Sequence, residues 1–231
     1  WSRTAARGIA EVAPEARIIA ILREPASLLR SLHLQFVETY VETEADLGRA
    51  LSLEEARRQG RHVPRYSYWP RALMYSEHVR YVEQLRRYQE WFGRDRMLVL
   101  VYDDFRADNE MTVRQVLRFL DVDDKVPLEA IEANPTVRAR SQHLNELLHA
   151  VSVGRGPLSL TVKGAIKALT PTRLRRKARD AVARHIVFGE PSPPDTELMG
   201  KLRQRFRGEV EALSEYLDRD LVSLWGYDCL A

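Results

Sequence analysis

The sequence contains a single cysteine, Cys229, among its 231 residues. A lone cysteine cannot form a disulfide within the chain, and we expect it to act as a small, semi-buried apolar residue. None of the six histidines stands at a metal-ligand spacing from a second histidine or a cysteine, so we predict no metal site. Only five of the 36 basic residues are lysines. The arginine excess suits bidentate contacts with phosphate or sulfate, although the base composition of the coding DNA also produces it.

Long hydrophobic runs are also lacking. The longest apolar runs, at 17–22 and 97–102, have the length of strands and fall short of the roughly 18 to 20 residues of a membrane span. The opening residues contain no apolar signal-peptide core. With 45% apolar and 30% charged residues, the composition fits one well-buried domain over residues 1–231. Together with the single cysteine, these absences predict a cytoplasmic protein.

Two apolar strands and the helices around them predict an α/β fold. Residues 17–22 (RIIAIL) are rich in β-branched side chains, as in a buried parallel strand, and Pro25 allows a helix to start directly afterwards. Residues 97–102 (MLVLVY) predict a second strand, preceded by a long amphipathic helix that starts at Pro70 and ends at Gly93. This alternation predicts a parallel sheet flanked by helices, with ligands bound beyond the carboxyl ends of its strands.

The chain is predicted to begin and end with helices. Residues 2–13 predict a helix with Ile9 and Val12 on its apolar face. A strongly periodic apolar pattern predicts a helix over 195–217, followed by a tail that docks on the core through Leu221, Leu224 and Trp225.

Several irregular segments separate these helices. Residues 43–68 predict an insertion over the body of the fold, with a short helix at 53–58. Residues 134–141 (NPTVRARS) predict a loop with two arginines, and 190–194 (EPSPP) a rigid linker. A basic helix is expected between this loop and this linker, over 171–188. The second half of the chain is therefore predicted to be mostly helical.

Arg23 and Ser31 form the first candidate site. Arg23 follows the first strand and reaches past the sheet edge, and Ser31 lies eight residues on, in the next helix. The pair could grip one anionic group with a charged and a neutral donor. The alternative is a surface ion pair for Arg23 and a solvated helix face for Ser31. Tyr102 ends the second strand, where it could hydrogen-bond a ligand, while the acids after it could cap the next helix.

These segments together resemble PAPS-dependent sulfotransferases of the bacterial type, where PAPS is 3′-phosphoadenosine 5′-phosphosulfate. Residues 17–25 (RIIAILREP), followed by Ser31, resemble the 3′-phosphate-binding segment of that family. Residues 88–105 (YQEWFGRDRMLVLVYDDF) resemble its helix–strand–Tyr-Glu-Asp segment, with Asp103 in place of the glutamate. The loop at 134–141 and the C-terminal helix look similar as well.

The resemblance implies a P-loop NTPase-like sulfotransferase fold and transfer of a sulfuryl group from PAPS to a hydroxyl or amine. It implies that Arg23 and Ser31 hold the 3′-phosphate and that Tyr102 lies near the nucleotide. Arg140, or alternatively Arg138, would close over the nucleotide from the later loop. Carbohydrate, lipid-linked and natural-product acceptors all stay open, and the sequence is silent on oligomeric state.

One part of the family pattern is missing from the sequence. The 5′-phosphosulfate loop, a Pro-Lys-x-Gly-Thr-Thr-like turn, is not found, and we expect it upstream of Trp1. The fold is therefore predicted to be N-terminally incomplete, with weak nucleotide binding and activity left open. The general base is also unassigned, with four candidates: His33, His78, Glu38 and Glu42.

Two other functions stay open at this stage. A nucleotide or small-molecule kinase would need a phosphate loop and Mg²⁺. A non-catalytic basic module would bind nucleic acid, but the net charge of only +3 and the alternating strands disfavour it. The basic run at 171–185 is either a solvated helix face or a peripheral membrane contact. The aromatic cluster at 65–70 either lines an acceptor cleft or anchors the next helix.

Overall fold

The structure is a computed structural model, and its described residues belong to two compact units. The residues it describes are 2–65, 67, 69–128, 138–139, 188–189 and 193–229. The first unit comprises the described parts of Trp1–Leu29, Tyr75–Ala133 and Asp195–Ala231. The second comprises those of Arg30–Met74 and Asn134–Pro194.

A pair of parallel strands lies in the first unit. Strand β1 (Ile18–Leu22) pairs with β2 (Met97–Val101) in a register that sets Leu22 opposite Val101. Helices precede and follow each strand in the chain. The predicted α/β class, with a parallel sheet and helices around it, is therefore confirmed.

Strand β1 is less buried than its sequence predicts. Leu22 is buried, but the side chains of Ile19 and Ile21 are exposed. Alternate residues of a strand point to opposite faces, so both isoleucines lie on one face of the strand. No described residue buries that face of the strand, whereas Leu22, on the other face, is buried.

The first helix, α1 (Ala5–Val12), packs on a later helix of the same unit. It buries the small side chain of Ala6, whereas Ile9 is 37% and Val12 87% exposed. The prediction that Ile9 and Val12 form the buried face is therefore wrong. The helix is buried at Ala6, in its first turn, and Val12 is its last residue.

The long helix predicted from Pro70 is divided into three pieces. A 3₁₀ helix, Pro70–Leu73, is followed by α5 (Tyr75–His78) and α6 (Tyr81–Phe92). Earlier in the chain lie α2 (Pro25–Glu38), α3 (Leu47–Ser52) and α4 (Glu54–Arg58). Met74 (φ −84°, ψ 73°) and Arg80 (φ −75°, ψ 67°) break it with dihedrals of inverse γ-turns. The predicted apolar stripe is nevertheless buried, and Gly93 caps α6 at φ 72° as predicted.

Helices complete the first unit after β2. Helix α7 (Tyr102–Ala107) follows the strand directly, and α8 (Asn109–Phe119) comes next. The helix predicted over 195–217 is confirmed as α9 (Thr196–Leu217), which packs on α6, and α10 (Leu221–Leu224) follows it. Four apolar side chains of α9 are buried: Leu202, Phe206, Val210 and Leu213. Leu221 and Trp225 are buried as predicted, whereas Leu224 and Cys229 are exposed, contrary to prediction.

Short helices make up most of the described second unit. Helix α2 (Pro25–Glu38) ends in it, and α3 (Leu47–Ser52) and α4 (Glu54–Arg58) follow. The short helix predicted at 53–58 is thus confirmed. Strands β3 (Arg138–Ala139) and β4 (Phe188–Gly189) form an antiparallel pair. The predicted basic helix and the linker at 190–194 lie almost wholly outside the described residues.

Neither a membrane span nor a metal cluster occurs in the described ranges. No helix there combines the length and apolarity needed to cross a bilayer. No group of three or more His, Cys, Asp or Glu residues there could hold a metal ion.

Candidate functional site

Arg23 and Tyr102 lie together at the carboxyl edge of the parallel strands. Each is the first residue after its strand, and the register sets the last residues of β1 and β2 opposite each other. The guanidinium carbon of Arg23 lies 4.9 Å from the centroid of the Tyr102 ring, which is a cation–π contact. The structure places both residues at the edge where the sequence predicted them, and their role in binding stays a prediction.

The Arg23 guanidinium has no anionic partner in the described part of the chain. It makes no ion pair and no side-chain hydrogen bond with another described residue, and the side chain is half-buried. The alternative of a surface ion pair is therefore not seen among these residues. Its N–H donors lack an acceptor among the described residues, and such donors suit a phosphate or sulfate oxygen.

Ser31 and Arg140 complete the predicted nucleotide-binding set. Ser31 is half-buried on α2, and its hydroxyl makes no hydrogen bond to any described residue. That Arg23 and Ser31 converge on one anion stays a prediction. Arg140 lies outside the described residues, as does the side chain of Arg138.

Glu24 fixes the turn between β1 and α2. It is the N-cap of α2: its carboxylate accepts hydrogen bonds from the backbone N–H of Ala26 at 3.0 Å and of Ser27 at 2.7 Å. The Tyr227 hydroxyl donates to the same carboxylate at 2.6 Å, and the Nε of Arg203 lies 3.7 Å from it. The capping role of Glu24 was not predicted, although an acid directly before a proline at the first helical position is a recognisable signal of a capped helix start.

Two buried tyrosine side chains donate hydrogen bonds to this turn. Tyr81 donates to the backbone carbonyl of Arg23 at 2.7 Å, and Tyr227 donates to Glu24. Burial, followed by the charge of Glu24, raises the pKa of Tyr81 far above its usual value. Burial, followed by the hydrogen bond to Glu24, does the same to the pKa of Tyr227. Both hydroxyls therefore stay protonated, and able to donate, throughout the physiological pH range.

The acids that follow Tyr102 do not cap α7, so the alternative reading of them as caps is wrong. Asp104 forms a two-pronged ion pair with Arg219, at 2.5 and 2.7 Å, and Asp103 accepts a hydrogen bond from the indole N–H of Trp225 at 2.9 Å. The hydrogen bond from Arg219 holds the pKa of Asp104 below its usual value, with burial opposing. Side chains far along the chain thus use these carboxylates as acceptors, which leaves α7 without a side-chain cap.

Two of the candidate bases are buried in structural contacts. The Nε2 of His33 lies 2.8 Å from the backbone carbonyl oxygen of Glu44, and burial lowers the pKa of this histidine. Glu42 binds Arg57 through both carboxylate oxygens, at 2.7 and 2.8 Å. A carboxylate engaged in this way is a poor proton acceptor for a substrate.

The other two candidate bases have different surroundings. Burial raises the pKa of the Glu38 carboxyl on α2, the direction that suits a base working near neutral pH. His78 is half-buried at the end of α5. Neither residue is placed against an acceptor substrate, so the general base stays unassigned.

Comparison with family models shows the family to which the chain belongs. The model of the sulfotransferase family matches residues 4–125. A search of the curated proteins found no match. Among solved structures, the chain is similar to a sulfotransferase from Alicyclobacillus acidocaldarius, with 27% identity and a TM-score of 0.48 over 58% of this chain. The chain spans about half of that protein's length, 51%. Because the family model covers more than half of the 231 residues, the chain belongs to the sulfotransferase family.

Proposed function

We propose that the protein transfers a sulfuryl group from PAPS to a hydroxyl or amine of an acceptor, and that Arg23, Ser31 and Tyr102 bind the nucleotide. One observation carries the proposal. The Arg23 guanidinium stands at the carboxyl edge of the strands, stacked on Tyr102 and without a carboxylate partner among the described residues. Ligands of open α/β sheets bind at this edge, and membership of the sulfotransferase family supports the choice of reaction.

The chemistry of these side chains fits a phosphate monoester. Arg23 offers a planar charged fork, and Ser31 offers a neutral hydroxyl donor. The guanidinium carbon of Arg23 lies over the Tyr102 ring, and its N–H groups make no hydrogen bond to a described residue, so they can serve oxygen atoms of a ligand. Arg140 is proposed as a further cationic contact from the later loop.

These residues would position the nucleotide and would take no part in the bonds that form and break. When bound, PAPS supplies the sulfuryl group that passes to the acceptor, and 3′,5′-ADP is released. Arg23 and Ser31 would hold the 3′-phosphate, which takes no part in bond making or breaking. Contacts to a non-reacting part of a substrate accelerate a reaction by fixing the geometry of the reacting part, and such positioning provides much of the rate enhancement of group transfer.

Isothermal titration calorimetry on the purified protein tests the proposal. We expect 3′,5′-ADP to bind roughly tenfold to hundredfold more tightly than 5′-AMP, because hydrogen bonds to a charged group contribute about 1.5 to 3 kcal/mol. Binding of 2′,5′-ADP, which carries its phosphate on the neighbouring carbon, controls for charge alone. Equal affinity for 3′,5′-ADP and 5′-AMP would remove the 3′-phosphate site. ATP binding that depends on Mg²⁺ would favour a kinase instead.

A further inference from the structure

The 219–227 segment contacts the residues that follow both strands. Three side-chain contacts connect it to them: Arg219 with Asp104, Trp225 with Asp103, and Tyr227 with Glu24. The acids of the first two contacts directly follow Tyr102, and the acid of the third directly follows Arg23. One short segment therefore contacts the chain beside both members of the Arg23–Tyr102 stack.

The backbone of this segment is itself fixed. Asp220 caps α10 by accepting the N–H of Ser223 at 2.9 Å. Gly226, at φ 69°, ends the helix, and the Tyr227 N–H then donates to the carbonyl of Val222 at 2.8 Å. This is the pattern of a Schellman motif, which requires a residue that tolerates positive φ. The motif turns the chain back, and Tyr227 follows it with a side chain that is fully buried.

The Tyr227 hydroxyl is the principal side-chain donor to Glu24. Arg203 is the other side chain near this carboxylate, but its Nε lies 3.7 Å away, which is too far for a hydrogen bond. Glu24 is only 5% exposed, so water has little access to replace a lost donor. A hydrogen bond to a buried carboxylate is stronger than one at the surface, and its loss leaves an acceptor under-satisfied.

We propose that Tyr227, acting through Glu24, is a positioning residue that aims Arg23 at the 3′-phosphate of the nucleotide. This proposal rests on the proposed function. Two tyrosine hydroxyls hold the chain at Arg23 and Glu24: Tyr81 donates to the Arg23 carbonyl, and Tyr227 donates to the Glu24 carboxylate that caps α2. The guanidinium stands at the end of a long side chain, so a small rotation of this backbone displaces it substantially. A misplacement of about 1 Å in a positioning group can cost on the order of a hundredfold in rate.

The decisive experiment measures nucleotide selectivity in Tyr227→Phe, which removes the hydroxyl and keeps the ring. We expect 3′,5′-ADP affinity to fall about threefold to tenfold, the usual effect of one lost hydrogen bond, while 5′-AMP affinity changes less than about twofold. Tyr216→Phe is the matched control. Its hydroxyl donates to Gln89, away from both strand ends, so its loss should leave the ratio of the two affinities unchanged.

The outcomes separate this proposal from the proposed function. A wild-type protein that prefers 3′,5′-ADP, together with an unchanged ratio in Tyr227→Phe, overturns the positioning role alone. Equal wild-type affinities for the two nucleotides overturn both. If Tyr227→Phe does not fold, Glu24→Gln decides, because it replaces the charged acceptor of the Tyr227 hydroxyl with a neutral amide of similar size. A selective loss of 3′,5′-ADP binding then supports the proposal, and an unchanged ratio overturns it.

Discussion

Arg57 and Arg23 are two arginines with opposite surroundings. In the second unit, the Arg57 side chain is 1% exposed and binds Glu42, itself 0% exposed, through two hydrogen bonds. In the first unit, Arg23 stacks on Tyr102 and has no carboxylate partner among the described residues. A guanidinium whose charge is already neutralised serves the structure. One whose donors have no acceptor among the described residues fits the anion-binding role proposed for Arg23.

The surroundings of Glu42 complete the structural pair. One of its oxygens also accepts the backbone N–H groups of Thr43 and Glu44, and the Nε of Arg57 donates to the carbonyl of His62. A buried ion pair offsets its desolvation only when its remaining hydrogen-bonding groups are satisfied in this way. Removal of one partner is then expected to cost far more than the pair contributes as a whole.

The largest expected effect is therefore on stability, in Arg57→Ala. This change removes the guanidinium that neutralises the buried Glu42 carboxylate, and we expect a loss of about 3 to 5 kcal/mol in the free energy of unfolding. Urea unfolding measures it. Arg58→Ala is the matched control, since Arg58 pairs with Glu55 on the exposed side of the same helix and should cost less than about 1 kcal/mol. Similar losses in the two variants would contradict the structural role of Arg57.

Arg23→Met should reduce nucleotide affinity and leave stability almost unchanged, in contrast to Arg57→Ala. Methionine keeps an unbranched side chain against the Tyr102 ring but removes the charge, so we expect 3′,5′-ADP affinity to fall roughly tenfold to hundredfold. The free energy of unfolding should change by less than about 1 kcal/mol, the usual worth of an exposed cation–π contact. Calorimetry and urea unfolding give the two values. A stable variant with unchanged affinity would place the nucleotide elsewhere.

Ser31→Ala tests the neutral partner of Arg23. Loss of one uncharged hydrogen bond should weaken 3′,5′-ADP binding about threefold to tenfold and leave 5′-AMP binding unchanged. Because the hydroxyl has no partner among the described residues, stability should stay within about 0.5 kcal/mol of the wild type. A clear loss of stability without any change in nucleotide affinity would contradict the binding role.

The smallest expected effect concerns the partly exposed pair of Asp104 and Arg219. The pKa of Asp104 lies below its ordinary value of 3.8 in the folded protein, so the pair stabilises the fold above that pH. The contribution is lost as the pH falls through the lowered pKa. Because both side chains are more than a third exposed, we expect less than about 1 kcal/mol. Asp104→Asn should therefore lose stability at pH 7 but not at pH 2, as measured by urea unfolding, and equal losses at both would refute the assignment.

The strands and the C-terminal helix could be predicted because their signals are local. A run of β-branched residues marks β1, and a regular apolar period marks α9. The breaks at Met74 and Arg80 carry no such signal, since neither position holds glycine or proline. An apolar stripe reports which side of a segment is buried, and it does not report whether the backbone stays helical between the buried residues.

The residues around Arg23 could be predicted only in part. Arg23 and Tyr102 were found from their places at strand ends, whereas Tyr227 donates to Glu24 across 203 residues of sequence. No local pattern encodes a contact at that separation. Arg57 and Glu42 were missed as a pair because both lie in or beside a polar stretch, and charged side chains are ordinarily expected in solvent.

During synthesis, the hydrogen bond between Tyr227 and Glu24 can form only after β1 and β2 are able to pair. Domains generally form while the chain emerges from the ribosome at about 5 to 20 residues per second. Strand β1 can pair with β2 once residue 101 is free, yet Glu24 gains its last donor only after residue 227 has been made. A nascent chain therefore passes many seconds in which β1 and β2 can pair while Glu24 still lacks the Tyr227 hydroxyl that we propose positions Arg23.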